Sequence, residues 1–121
     1  MPDSAVADGG GLLVLTGLLE GEAPEVDEIL ALDATSLLVA EYLALHHEGK
    51  PIRAQRDFGL AIRAVAEWFP VRALAMNAVL AAGETDEVDS AASIALAESL
   101  RVPLVTKNRE LSSDVVTILH C

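Results

Sequence analysis

The chain has 121 residues, 52% of them hydrophobic and only 3% aromatic, so it suits one domain with an aliphatic core that needs neither disulfide nor structural metal. A formal net charge of −11 argues against a protein that coats nucleic acid generally. The single cysteine, Cys121, rules out an internal disulfide and a Cys-based zinc site.

No apolar run is long enough to cross a bilayer. The stretch 1–11 lacks the positive start of a secretory signal, so a cytoplasmic protein is expected. Charge is unevenly spread. Residues 1–49 hold ten acidic side chains and no Lys or Arg, whereas Lys50, Arg53, Arg56, Arg63 and Arg72 follow closely, with only Asp57 and Glu67 among them. Such a stretch suits either a solvated helix face or contact with an anion.

In chain order, Ala5–Asp8 reads as a short strand. Gly9, Gly10 and Gly11 form a tight turn into an apolar helix, Leu12–Leu19. Ile29–Leu32 is a strand, and Asp33 or Ser36 then caps a long helix ending at Gly49 before Pro51. Phe58, Ile62, Val65 and Phe69 recur at helical spacing, which predicts a helix over Ala54–Phe69 closed by Pro70. Val71–Leu74 is a candidate strand and Met76–Ala82 a helix ended by Gly83. A helix over Ser90–Leu100 and strands over Pro103–Thr106 and Val115–Leu119 complete the chain. Strands separated by helices predict an α/β domain with a parallel central sheet flanked by helices, spanning residues 1–121 without a linker or repeat. Ligands of such sheets sit at the carboxyl ends of the strands. That rule points to Asp8, the Asp33 region, Asp89 and Thr106–Asn108.

Two segments carry a family resemblance. Residues 89–111, Asp-Ser-Ala-Ala-Ser-Ile-Ala-Leu-Ala-Glu-Ser-Leu-Arg-Val-Pro-Leu-Val-Thr-Lys-Asn-Arg-Glu-Leu, resemble the C-terminal block of PIN-domain ribonucleases, above all the VapC-type toxins of toxin–antitoxin pairs. Residues 5–15, Ala-Val-Ala-Asp-Gly-Gly-Gly-Leu-Leu-Val-Leu, are similar to that family's first strand, acid and helix. The resemblance implies a PIN-like fold and a metal-dependent hydrolase. In the family, carboxylates from separate strand ends hold Mg²⁺ or Mn²⁺, which activates water and offsets charge on the scissile phosphate. Hard cations take oxygen ligands, so Asp, Glu and Asn are the expected donors.

The carry-over is uneven. Asp8 matches the first acidic position; the alternative is an N-cap for helix Leu12–Leu19. Glu41, which interrupts the apolar run Leu37–Leu45, matches the second, with Asp33 a rival. Counting back from Ala95–Glu98, the third acid falls on Ser90, with Asp89 one residue earlier; a step of one residue turns a helix by about 100°. Asn108 stands at the fourth acidic position and can offer a carbonyl oxygen but no charge. The resemblance thus implies Asp8, Glu41 and Asp89 as catalytic residues. The metal would rest on Asp8, Asp89 and Asn108, and substrate contacts on Thr106, Lys107 and Arg109. It implies RNA as substrate, an antitoxin as possible partner and a homodimer. The alternative is a catalytically degenerate PIN-like module kept for binding or dimerisation, which Ser90 and Asn108 motivate.

Adjacent His46 and His47 diverge around a helix and make a poor metal pair; at a helix end they complement its dipole. Trp68 and Phe69 are expected in the core or at a dimer contact. No Gly-x-Gly-x-x-Gly or Walker lysine is present.

Overall fold

The computed structural model describes residues 3–70 and 88–121. The expected strand Val71–Leu74 and helix Met76–Ala82 lie outside the described residues. The elements are β1 (Ser4–Ala7), α1 (Gly9–Leu15), β2 (Glu28–Leu32), α2 (Thr35–His46), α3 (Pro51–Ala64), β3 (Val65–Phe69), α4 (Val88–Leu100), β4 (Leu104–Thr106) and β5 (Ile118–His120). All five strands are parallel, in the order β3-β2-β1-β4-β5. The α/β architecture and parallel central sheet agree with the sequence.

The strand order explains where the helices lie. From β1 to β3 the chain adds strands in one direction, and right-handed crossovers then keep the intervening helices on one face. Beyond β3 it returns to the other side of β1, which sends α4 to the opposite face. Core packing follows this division. Ala5, Ala7, Ala31 and Val105 pack with Leu12 and Leu13 of α1, Val39 and Leu43 of α2 and Ala61 of α3. Val6, Leu30, Leu32 and Leu104, pointing the other way, pack with Ala92, Leu96 and Ala97 of α4. Both faces are covered by aliphatic side chains, each large one contributing about 1.5–3 kcal/mol on burial.

Several expected boundaries are corrected. Gly9–Gly11 is the first turn of α1 and not a separate turn; Asp8 is its N-cap, accepting from Gly11 N at 2.8 Å. Helix α1 ends at Leu15, four residues short of Leu19. Neither Asp33 nor Ser36 caps α2 through its side chain: the cap position is Ala34, and the Ser36 hydroxyl donates to the Asp33 carbonyl at 2.6 Å. Helix α2 stops at His46, before Gly49, which adopts φ +78°. The last strand begins at Ile118 and not at Val115.

The largest correction concerns Ala54–Phe69. Helix α3 stops at Ala64, and Val65–Phe69 is the edge strand β3, paired with Ile29–Leu32. Val65 and Phe69 fit a four-residue repeat, but Val-Ala-Glu-Trp-Phe is also a run of residues that suit a pleated surface, and pairing with β2 satisfies its backbone. Trp68 packs on one core face and Phe69 on the other. Across the α2–α3 hairpin His47 pairs with Asp57 at 2.7 Å. Hydrogen bonding to His47 and the nearby Arg56 guanidinium hold the Asp57 carboxyl below its ordinary value against the opposing effect of burial.

Candidate metal centre at the switch point of the sheet

The chain reverses its direction of strand addition between β1 and β4. In open parallel sheets a crevice forms at such a point, outside the carboxyl ends of the strands. Here it is a cleft of about 300 Å³ bordered by Asp8, Asp89, Ser90, Lys107 and Asn108, with Leu38 and Tyr42 of α2 on its apolar wall.

Asp8, directly after β1, is 3% exposed. Its Oδ1 accepts from Gly11 N at 2.8 Å. Its Oδ2 accepts two hydroxyls, Ser90 Oγ at 2.7 Å and Thr106 Oγ1 at 2.5 Å. The N-cap bond and the two hydroxyl bonds therefore fall on different oxygens of one carboxylate. Thr106, the last residue of β4, is fully buried and also accepts from Asn108 N at 3.0 Å. It orients Asp8 and meets a ligand in the cleft only through that carboxylate.

Helix α4 is described from Val88 and already includes Asp89, ahead of the expected Ser90, so Asp89 and Ser90 stand side by side along it. Both border the cleft, so the choice posed by their one-residue offset does not arise. Asp89 Oδ2 accepts from Gly9 N at 2.6 Å and Oδ1 from Thr35 Oγ1 at 2.7 Å. Burial pushes the Asp89 carboxyl above its ordinary value, and the negative charge of Asp8 adds to that effect. The bonds from Gly9 and Thr35 oppose it.

The remaining candidates stand further out. Glu41 is exposed on α2 and does not border this cleft; Asp33 is exposed at the end of β2. Asn108 is at the rim, its Oδ1 accepting from Glu110 N at 3.0 Å. The Lys107 side chain lies against Gly10 and donates from Nζ to the Glu20 carbonyl at 3.1 Å. Arg109 is exposed beyond it. Sequence reasoning missed Thr35. Its signal was a hydroxyl residue at a helix start just beyond a strand end, where a buried acid finds its donor.

Among the described residues, no three His, Cys, Asp or Glu side chains gather as a metal-binding group. The donor set is a pair of carboxylates. Each carboxylate oxygen has two lone pairs. Asp8 Oδ2 is filled by its two hydroxyl donors, whereas Asp8 Oδ1 and both Asp89 oxygens each keep one acceptor position. Two carboxylates with open positions, completed by water and a phosphate oxygen, fit one hard dication such as Mg²⁺ or Mn²⁺. A larger hollow, about 360 Å³, lies at the amino ends of the strands. Its charged residues Asp3, Glu25 and Arg101 are all exposed, and it has no buried acid.

Fold and cleft together define an α/β domain with a parallel sheet and a pair of acids at its switch point. The chain is similar in structure to a member of the VapBC family of toxin–antitoxin systems, VapBC-5 from Mycobacterium tuberculosis. The match has a TM-score of 0.62 and 20% identity, and covers 99% of this chain and 100% of the other. At that identity the likeness is one of fold. No protein-family model matches the chain, and no curated protein matches it in sequence. Among the described residues no helix is long and apolar enough to cross a membrane.

Proposed function

We propose that this chain is a PIN-like endoribonuclease that depends on Mg²⁺ or Mn²⁺, of the kind paired with an antitoxin. The observation that carries this reading is the meeting of Asp8 and Asp89, from opposite ends of the chain, on one cleft at the switch point of the sheet. Burial raises the Asp89 carboxyl above its ordinary value and the negative charge of Asp8 adds to it; a bound dication would favour the carboxylate instead. Asp8 Oδ1 and the Asp89 carboxylate would hold the cation, with Asn108 at the rim. When bound, the cation polarises a phosphodiester and lowers the pKa of water. Ser90 and Thr106 fix the Asp8 carboxylate, Thr35 and Gly9 fix Asp89, and Lys107 and Arg109 offer positive charge to an RNA backbone.

The test is cleavage of a single-stranded RNA by the purified protein. Cleavage with Mn²⁺ or Mg²⁺, its loss with EDTA and its loss in Asp8→Asn are expected; cleavage by Asp8→Asn removes the assignment.

A specific observation favours a second reading. Ser90 stands where the family resemblance expects an acid, and its hydroxyl fills Asp8 Oδ2. On that reading the domain has lost catalysis and serves binding or dimerisation. Leu37, Leu45 and Ile52, 72%, 70% and 80% exposed on α2 and α3, supply apolar surface for a second copy or an antitoxin on either reading. RNA that binds in Mn²⁺ and is never cut is the outcome that selects the second.

A further inference from the structure

We propose that the outer face of the α2–α3 hairpin is where a second copy of this chain docks, with α2 of each copy lying on α3 of the other. The proposal is independent of the chemistry assigned to the cleft. Its first observation is exposed apolar surface. Of the seven large hydrophobic side chains exposed among the described residues, five (Leu37, Leu38, Leu45, Ile52 and Leu60) lie on these two helices. Exposed leucines scattered singly need no explanation, whereas their concentration on one face marks a contact surface. Helix α2 carries the point further. Val39 and Leu43 are buried in the core, yet Leu37 and Leu45 are exposed on the same helix. A helix that is apolar all round is ordinarily covered all round.

The second observation is the charge along that face. On α2, Leu37, Glu41 and Leu45 recur every four residues, and Glu48 follows three further on, just past the helix end. On α3, Ile52, Arg56, Leu60 and Arg63 repeat the same spacing. Side chains three or four apart share one side of a helix, and all eight are exposed. Asp57, the one acid of α3, is half-buried and bonded to His47 at 2.7 Å, with Arg56 Nε 3.5 Å away. The outward side of α3 is therefore basic, with Arg53 adding to it, and that of α2 is acidic. Two stripes alternate apolar and charged residues at one spacing, with opposite sign.

Those charges select the occupant. Copies related by a two-fold axis meet through the same face of each. An axis that laid α2 on α2 and α3 on α3 would oppose acid to acid and arginine to arginine. An axis running along the hairpin lays α2 on α3 twice over. It covers the exposed leucines and sets Glu41 and Glu48 against Arg53, Arg56 and Arg63 of the second copy. Opposed charges of this kind fix partner and register more than they add affinity.

The experiment is sedimentation equilibrium of the full chain in low salt. The wild type should be dimeric at high micromolar concentration, and the dimer should weaken as salt is raised. Glu41→Lys with Glu48→Lys, and separately Arg56→Glu with Arg63→Glu, should each weaken it by about tenfold or more through like-charge contacts. An equimolar mixture of these two variants should restore the dimer, because each then meets opposite charge on both helices. Ile52→Ser, at a site 80% exposed in the single copy, should weaken it without touching the core. A wild type that stays monomeric overturns the proposal and leaves the face to a partner of different sequence. Dimers unaffected by both double variants place the interface elsewhere and overturn it as well. Variants that dissociate alone and fail to associate on mixing overturn the placement of α2 on α3.

Discussion

Thr35 Oγ1 donates to Asp89 Oδ1 at 2.7 Å, joining the first residue of α2 to the first turn of α4 across 54 positions of sequence. Thr35 is fully buried, so its hydroxyl has no alternative partner in water. The bond brings the elements on the two faces of the sheet together above the carboxyl ends of the strands. The acidic centre and the fold are thus held by the same contacts.

Thr35→Val keeps the shape and removes the donor. A partly buried carboxylate oxygen then loses its partner, which costs about 1–3 kcal/mol. Urea unfolding at neutral pH should show a lower midpoint with an unchanged slope; an unchanged midpoint would mean that water replaces the hydroxyl at no cost.

Asp89 gives stability a pH dependence of a definite sign. Its carboxyl is raised above the ordinary 3.8, first by burial. A group that holds its proton more tightly in the folded chain contributes stability below its unfolded value and loses it as pH rises through the folded one. The stability of the wild type relative to Asp89→Asn, measured in EDTA, should therefore fall as pH rises from about 4 to about 7. A difference that is flat across that window, or that rises, contradicts the assigned environment.

Gly10 and Gly11 should respond oppositely to alanine. A Cβ on Gly11 would clash with the Val105 carbonyl, in backbone that cannot yield, whereas one on Gly10 meets only the Lys107 side chain at 3.3 Å. Gly11→Ala should cost about 3 kcal/mol through overpacking. Gly10→Ala, helped by the helix propensity of alanine, should stay within about 1 kcal/mol of wild type. Thermal unfolding of the two variants side by side checks the contrast, and equal midpoints would contradict the packing of α1 on β4.

Much of this was legible in the sequence for identifiable reasons. The strands at Ala5, Ile29 and Leu104 are short apolar runs bounded by acids, glycine or proline, and Asp8 was visible as the acid closing the first of them. Val65–Phe69 was misread because a helical repeat of apolar residues ran through it. Periodicity cannot reveal that the edge beside β2 offers those residues a ladder of hydrogen bonds. The ambiguity between Asp89 and Ser90 could not be resolved by counting either, because it depends on bonds from Gly9 and Thr35 to Asp89 and from Ser90 to Asp8, partners remote in sequence. Glu41 stands out in the sequence because an acid in a buried apolar run is costly, but α2 buries only Thr35, Val39 and Leu43 and leaves Leu37 and Leu45 in the open. Its apolar run is partly a surface.

The most direct test of the two-carboxylate centre is a Mn²⁺ titration followed by the backbone amide NMR signals of Gly9, Gly11 and Asn108. Selective broadening of these signals in the wild type, and its loss in Asp8→Asn, is the expected result. Broadening that persists in folded Asp8→Asn, or that centres on the exposed acids of residues 20–28, would contradict a cation held between Asp8 and Asp89.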